Sequence, residues 1–331
     1  MSQSNTKPTR HPASKAAERV AKPATVQATA KPIAEPTPGL LDYHPPSVST
    51  MRTMFSVPRS YFNPEFLGLW ELDLDRPALF VGNHTLLGMT DAPLMIEHIY
   101  SQYGVMVRAL GDRGHFKVPV WGDMLTRVGV VEGSPANCAA LMENGHHVLV
   151  FPGGGREVMR RRGEAYNLIW KQRTGFARLA IEHGYDIIPF GSVGPDESFT
   201  IMADANDLKG SGLWNWLDRK FGLDAATRGG DMVPPIVRGI GPTLIPRPQR
   251  YYFGFGKRIP TEHLKGRAQD KEALWEVREA VAESVEDQIN RLLRYRYEDR
   301  KQNWGRVRRW LAPLDAPHPA VNMTRQRRMT K

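Results

Sequence analysis

Residues 78–91 read ALFVGNHTLLGMTD, and this stretch sets the fold class of the chain. Its first five residues are apolar or small, as in a strand that is buried on both faces of a sheet. A polar loop follows, and Thr90 and Asp91 then supply the capping signal of a helix. A strand that passes through a loop into a helix is the repeating unit of an α/β domain.

The same alternation continues along the chain. Further buried strands are predicted at 105–110, 148–151, 187–190 and 251–255, and helices at 91–100, 134–145, 174–183 and 270–300. Strands that alternate with helices favour a parallel sheet. We therefore expect an α/β fold with a central, mostly parallel sheet flanked by helices, and one long amphipathic helix at its end.

The ends of the chain differ in composition from its middle. Residues 1–50 are rich in Pro, Ala, Thr and Lys, and are expected to form a disordered basic arm because they offer little apolar surface to bury. The folded domain is expected at 51–311, with a partly helical insertion at 205–250, and a basic tail at 312–331.

The net charge of +10 suits nucleic acid, anionic lipid or phosphorylated ligands. The positive residues are scattered and match no nucleic-acid recognition motif, so no nucleic-acid partner is expected. The histidines lack a metal-ligand set, so no metal is expected. The single cysteine, Cys138, is compatible with a reducing compartment. No secretory signal or membrane-spanning run is recognised, and the expected location is cytoplasmic, peripheral on the membrane face.

His84 follows the predicted strand at once, where ligands bind in open α/β sheets. Imidazole titrates near neutral pH and can take a proton from an attacking hydroxyl. Such a base needs a carboxylate to orient it, and Asp91 lies seven residues on, about two helical turns. The non-catalytic alternatives are that His84 is a structural residue and that Asp91 only caps the helix.

A second special loop, FPGGGRE at 151–157, follows the strand predicted at 148–151. The backbone N–H groups of Gly153, Gly154 and Gly155 can hold an anion. Arg156 offers a planar fork for phosphate or carboxylate. The three glycines could equally be a simple turn, and the arginines at 160–162 a solvated face.

Four segments in this order carry a family resemblance. They are Asn83-His84, the block 114–119 that contains Phe116, the loop 151–157, and Ile188-Pro189-Phe190-Gly191. In order and spacing the chain resembles the glycerolipid acyltransferases that include lysophosphatidate acyltransferases. It departs from them at Met89, where the family has Asp, and at Gly153 and Gly155, where Glu and Thr are usual. These departures are similar to the branch of diacylglycerol acyltransferases and phytyl ester synthases.

The resemblance implies direct transfer of a fatty acyl group from acyl-CoA, or another acyl thioester, to a hydroxyl of a lipid alcohol or lysophospholipid. His84 would be the general base, Asp91 would orient it, and no cofactor is needed beyond acyl-CoA as substrate. The substrate-binding residues that it implies are Asn83, Phe116, Gly153, Gly154, Gly155, Arg156 and Glu157.

Two other functions stay open: a hydrolase or thioesterase on the same scaffold, and a non-catalytic protein that binds anionic surfaces. Two segments combine aromatic and basic residues as membrane-surface segments do. They are Trp214, Trp216, Leu217, Lys220 and Phe221, and the stretch 304–311 with Arg306, Arg308, Arg309 and Trp310. Either could instead pack on the core or form an oligomer contact.

Overall fold

The computed structural model describes residues 35–302 except positions 118, 210, 223, 225, 226 and 229. The predicted arm lies outside these residues up to position 34, and the basic tail and the stretch 304–311 lie outside them entirely. The strands are β1 (Glu65–Leu67), β2 (Ala78–Gly82), β3 (Val107–Gly111), β4 (Val131–Glu132), β5 (His147–Val150), β6 (Asp186–Val193), β7 (Thr200–Ala203), β8 (Ile236–Arg238) and β9 (Tyr252–Phe255).

Seven of these strands form the central sheet, in the order β1-β9-β6-β2-β5-β3-β4. All neighbours run parallel except β6 and β9, which are antiparallel. The predicted α/β fold with a mostly parallel sheet is therefore confirmed. The strands β7 and β8 pair antiparallel in a separate two-stranded sheet within and beside the insertion.

Helices cover both faces of the sheet. They are α1 (Val48–Met54), α2 (Ser56–Phe62), α3 (Asp91–Tyr103), α4 (Arg113–Phe116), α5 (Trp121–Arg127), α6 (Pro135–Glu143), α7 (Gly155–Val158), α8 (Gly175–His183), α9 (Ala205–Leu208), α10 (Gly212–Phe221) and α11 (Lys271–Gln302). Met51, Ile99 and Leu125 place α1, α3 and α5 in one apolar core. The helices α6, α8 and α11 share the other core, on the opposite side of the sheet.

Local signals account for much of this architecture. All five residues of β2 are buried, as expected for a strand covered on both faces. Ser134 caps α6 by accepting a hydrogen bond from the amide of Asn137 at 3.0 Å, and Pro135 occupies the first turn. On α11 the apolar stripe predicted from helical spacing is buried against β6 and β9, with Val281 and Val285 fully inside.

The structure also departs from the sequence-based expectations. Contacts with the domain begin before the predicted boundary at 51, because Leu40 is buried and the Thr37 amide donates to Asn137 Oδ1 at 2.8 Å. The strand predicted at 187–190 extends to Val193, since the backbone of Ser192 continues the pairing with β9 despite its polar side chain. In the part of the chain that the structure describes, no helix has the length and apolar composition to cross a bilayer.

Candidate active site

His84 lies directly after β2 and lines a cavity of about 530 Å³ at the carboxyl ends of β3 and β5. Apolar side chains from both cores form most of the wall, including Leu125 and Val130 on one side of the sheet and Cys138 and Leu179 on the other. The carboxyl edge of a parallel sheet is where α/β proteins bind ligands. The predicted location of His84 is therefore also the location of a largely apolar cavity.

The ring of His84 is held between close neighbours. It stacks on Phe151, with ring centroids 3.9 Å apart and planes inclined by 9°. Gly88 lies against its other edge, where an added Cβ would fall 2.3 Å from His84 Cε1 and 2.8 Å from Nε2. Gly88 also has a φ of +58°, which side-chain-bearing residues rarely adopt. Only glycine fits this position without moving the imidazole.

Asp91 is buried, and its Oδ2 accepts a hydrogen bond from Thr85 Oγ1 at 2.7 Å. Its other oxygen, Oδ1, is buried and has no hydrogen-bond partner among the described residues, and the same is true of His84 Nδ1. Thr90 is the N-cap residue of α3, and no amide of that helix donates to Asp91 in the described structure. The alternative that Asp91 only caps the helix is therefore not supported by a hydrogen bond in the described structure.

The pKa of His84 is lowered to about 4, chiefly by burial, and the positive charges of Arg160 and His115 contribute to this lowering. The negative charge of Asp91 opposes them and raises the pKa. The imidazole is consequently neutral at physiological pH, which is the form that accepts a proton. Asp91 is the described group whose charge stabilises the protonated form.

Two buried charged side chains hold the backbone of His84. Glu157 accepts hydrogen bonds from the amides of His84, at 3.1 Å, and Ile169, at 2.9 Å. Arg160 donates through Nη2 to the carbonyl oxygen of His84 at 2.6 Å. Both peptide groups of the histidine are thus fixed by charge-assisted hydrogen bonds.

Glu157 fills the space that a side chain at position 153 would need. A Cβ added to Gly153 would lie 2.1 Å from Glu157 Cδ. This contact explains in physical terms how the chain carries Gly153 where its resemblance would place glutamate. A carboxylate still lies at this point of the turn, but it comes from Glu157, and burial raises its pKa.

Glu157 and Arg160, which hold the backbone of His84, belong to a larger buried network. Asp196 accepts from the amide of Leu86 at 2.6 Å and forms an ion pair with Arg160 Nε at 3.5 Å. Its neighbour Glu197 accepts from the Tyr166 hydroxyl and forms an ion pair with Arg296 of α11. The loop that carries His84 is therefore tied to the last helix of the described chain.

The predicted substrate-binding residues separate into two groups. Gly154 and Gly155 line the cavity with His84. The wall as described does not include Asn83, Phe116, Gly153, Arg156 or Glu157.

Asn83 and Arg156, which lie outside the cavity wall, both make hydrogen bonds within the protein. Asn83 is buried and exchanges two hydrogen bonds, at 2.8 and 3.0 Å, with the backbone of Ser192. Arg156 bonds Glu164 through both terminal nitrogens and faces Asp231 at 3.4 Å. The role expected for each of these residues in substrate binding stays a prediction.

Sequence reasoning missed Arg160 and Asp196 as individual residues. Arg160 was expected in a positively charged run or a solvated face, yet it is only 1% exposed. A usable signal existed, because Arg156 and Arg160 are four residues apart and the Asp196–Glu197 pair follows the end of β6 closely. Such placement brings acids and bases to the same edge of the sheet.

Comparisons with known proteins identify the family of the chain. A family model described as Acyltransferase matches residues 61–193, a range that contains His84 and the glycine loop. The chain is 33% identical to phytyl ester synthase 1, chloroplastic, of Arabidopsis thaliana over 237 residues, which are 67% of this chain and 33% of that protein. It is 30% identical over 157 residues to the human DGAT1/2-independent enzyme synthesizing storage lipids, or 47% of this chain and 46% of that protein.

A solved structure, the 1-acyl-sn-glycerophosphate acyltransferase PlsC of Thermotoga maritima, aligns over 78% of this chain and 81% of its own, with 14% identity and a TM-score of 0.43. The chain spans about a third of the length of the phytyl ester synthases. The matched range holds the Asn83-His84 segment, the glycine loop and the Ile188-Pro189 segment. On the family model and these relatives, the chain belongs to the glycerolipid acyltransferase family.

Proposed function

We propose that this protein transfers a fatty acyl group from an acyl thioester, with acyl-CoA as the donor, to the hydroxyl of a lipid acceptor. His84 is the general base. The observation that carries the proposal is that His84 lies at an apolar cavity and has a buried carboxylate, Asp91, as a neighbouring charge. His84 Nδ1 and Asp91 Oδ1 are both buried, and neither has a hydrogen-bond partner among the described residues. The negative charge of Asp91 nevertheless acts on the imidazole and raises its pKa.

The protonation states support this assignment of roles. A neutral imidazole with Nδ1 turned into the protein leaves Nε2 for the acceptor. When Nε2 takes the hydroxyl proton, the ring becomes an imidazolium, and Nδ1–H then donates to the idle oxygen of Asp91. Hydrogen bonds of this kind are often long in the free enzyme and tighten as charge develops.

The reaction balances without a covalent enzyme intermediate. The acceptor oxygen attacks the thioester carbonyl as Nε2 removes its proton, and a tetrahedral oxyanion forms. The carbon–sulfur bond then breaks, and the departing thiolate receives the proton from His84 Nε2. The products are an oxygen ester and a free thiol, and His84 returns to its neutral form.

Groups around the cavity suit the remaining parts of this reaction. The apolar wall fits an acyl chain, and Gly154 and Gly155 line the same cavity, where a backbone amide would stabilise the oxyanion. Arg156 is engaged with Glu164, so the backbone amides are better placed for that role than its guanidinium. Arg173 and Arg178 also line the cavity and offer positive charge for the phosphates of a thioester carrier.

The test compares the wild-type protein with His84→Ala and with His263→Ala, an exposed histidine outside the cavity wall. Each is incubated with labelled palmitoyl-CoA and, separately, lysophosphatidate, diacylglycerol or a long-chain alcohol. We expect ester formation with at least one acceptor, a loss of about a thousand-fold in His84→Ala, and normal turnover in His263→Ala.

The products also separate the alternatives. Free fatty acid as the sole product with every acceptor would favour the hydrolase. Normal ester formation by a folded His84→Ala protein would remove His84 from the mechanism. Replacing palmitoyl-CoA with a palmitoyl thioester on a carrier protein tests the donor, and a strong preference for the carrier protein would contradict the acyl-CoA assignment.

A further inference from the structure

Three side chains form a cluster at the surface of α10, and they are referred to below as the α10 cluster: Trp216, Lys220 and Phe221. Trp216 and Phe221 are 49% and 63% exposed, with ring centroids 6.4 Å apart. The Lys220 ammonium lies 5.1 Å from the centroid of the first ring and 5.4 Å from that of the second. Two large aromatic rings and a cation thus share one exposed patch.

The helix beneath this patch is anchored from its other side. Trp214 is only 8% exposed and packs with Ala205 and Val233 in a small core of the insertion. The membrane role that the sequence suggested for Trp214 is therefore corrected, because its indole is buried inside the protein. Trp216 and Phe221 are not part of this core, so the packing of the insertion does not explain why they are aromatic.

Other apolar side chains around the insertion are exposed as well. Met202, Ile236, Leu244 and Ile245 are between 48% and 72% exposed. Single exposed apolar residues need no explanation, so an interaction surface is indicated by the α10 cluster, whose side chains are in contact.

The charges of the same region favour a negatively charged partner. Its acidic side chains are largely engaged within the protein: Asp207 with Arg162, Asp224 with Lys209, and Asp231 with Lys171. Arg219 and Lys220 are exposed, and neither forms an ion pair in the part of the chain that the structure describes. Positive charge is thus left beside the aromatic rings.

The insertion is also fixed close to the cavity. Asp231 faces Arg156 at 3.4 Å, at the start of the arginine-rich segment that follows the glycine turn. Met232 packs against Gly155 so closely that an added Cβ there would lie 2.5 Å from its methyl group, and Gly155 lines the cavity. A partner that binds the insertion is consequently brought near the site of His84.

We infer that the insertion docks, through the α10 cluster, onto a bilayer that contains anionic lipid. Tryptophan and phenylalanine enter the boundary between headgroups and acyl chains, while Lys220 and Arg219 keep their charges at the phosphates. The inference rests on the proposed function in one respect, that docking brings a lipid acceptor to the cavity. The docking itself is measured without any reaction.

The probe is a set of vesicles of phosphatidylcholine, with or without about one third phosphatidylglycerol, used in co-sedimentation at low and high salt. We expect the wild-type protein to bind the anionic vesicles, with weaker binding at high salt. Arg219→Gln/Lys220→Gln should lower the partition coefficient about thirty-fold, and Trp216→Ala/Phe221→Ala by at least about ten-fold. Trp70→Ala, which removes a tryptophan that is 64% exposed elsewhere, should bind as the wild type does.

Thermal melting of every variant checks that it is folded. Undiminished vesicle binding by both folded double variants overturns the inference. So does a dimer of the wild-type protein in the absence of lipid that the aromatic double variant dissociates, because the patch would then join two copies of the chain. Transfer between short-chain, soluble substrates should be equal in all variants, and its absence in the wild type would contradict the proposed function and leave the docking result intact.

Discussion

Replacing Gly88 by alanine should disable the active site while leaving most of the fold intact. The added Cβ would lie 2.3 Å from His84 Cε1, whereas carbon atoms in contact are normally at least about 3.4 Å apart. The imidazole must therefore move by about 1 Å. It is confined by the stacked ring of Phe151 on its face, so the displacement changes its alignment with the acceptor.

A misplacement of about 1 Å in a catalytic group costs about a hundred-fold in rate. We therefore expect kcat of Gly88→Ala to fall about a hundred-fold, with KM changed far less. The free energy of unfolding should fall by about 1–2 kcal/mol from the left-handed backbone alone, and the clash with Val158 adds to this loss. The assay is release of free thiol from acyl-CoA in the presence of acceptor, together with thermal melting.

Gly104→Ala is the matched control, because Gly104 has a φ of +71° and an added Cβ would meet nothing within 4 Å. It imposes the same kind of backbone strain without touching His84. We expect only the backbone part of the loss in unfolding free energy, about 1–2 kcal/mol, and full activity. If Gly88→Ala and Gly104→Ala had kcat values within about three-fold of each other, the reasoning that links the position of His84 to catalysis would be refuted.

Four further outcomes are expected. Asp91→Asn should lower kcat about a thousand-fold with little change in KM, because the imidazolium loses its counter-charge; unchanged turnover would leave Asp91 a structural residue. Because the folded-state pKa of His84 is lowered to about 4, kcat should stay level from neutral pH to about pH 5.5 and fall below that, and a half-maximal rate near pH 6.5 would contradict the assignment. His84 and His98 have a pKa of about 4 in the folded chain and of about 6.5 in the unfolded chain, so between these pH values the unfolded chain binds more protons. Stability should therefore decline as the pH falls from about 6.5 to about 4 in an acid-melting series. Asp196→Asn should cost about 3–5 kcal/mol of unfolding free energy, since it breaks a buried ion pair and leaves the charge of Arg160 opposed more weakly, by Glu157. Asp207→Asn, at an exposed ion pair, should cost less than about 1 kcal/mol. Equal losses in chemical denaturation would show that the buried pair contributes no more to stability than the exposed one.

The parts of the fold that sequence could predict are those with local signals. The apolar run of β2, the cap of α6 and the stripe of α11 each occupy a few consecutive or periodic positions, and each is found where it was expected. The strand β4 has two residues, too few for any periodicity to appear. The β7–β8 pair was not foreseen because a bulge shifts its register and its residues are only partly buried.

The same distinction holds for the candidate site. His84 could be placed because it directly follows a strand, whereas the function of Glu157 depends on where its side chain points. Its carboxylate accepts hydrogen bonds from the amides of His84 and Ile169, and the amino-acid sequence does not predict the direction of this side chain. The contact between Arg160 and Asp196 joins distant parts of the chain, which only the assembled fold brings together.

The ion pair between Glu197 and Arg296 gives the chain a particular order of completion during synthesis. His84, Glu157 and Arg160 leave the ribosome well before α11. The buried network to which they belong nevertheless includes Arg296, near the end of that helix. Until Arg296 is synthesised, the nascent chain lacks the cation that α11 places beside the buried Glu197, so this part of the network is incomplete. A ribosome-bound fragment that stops before α11 would therefore carry every residue of the cavity wall and still lack one part of the network that holds the His84 loop.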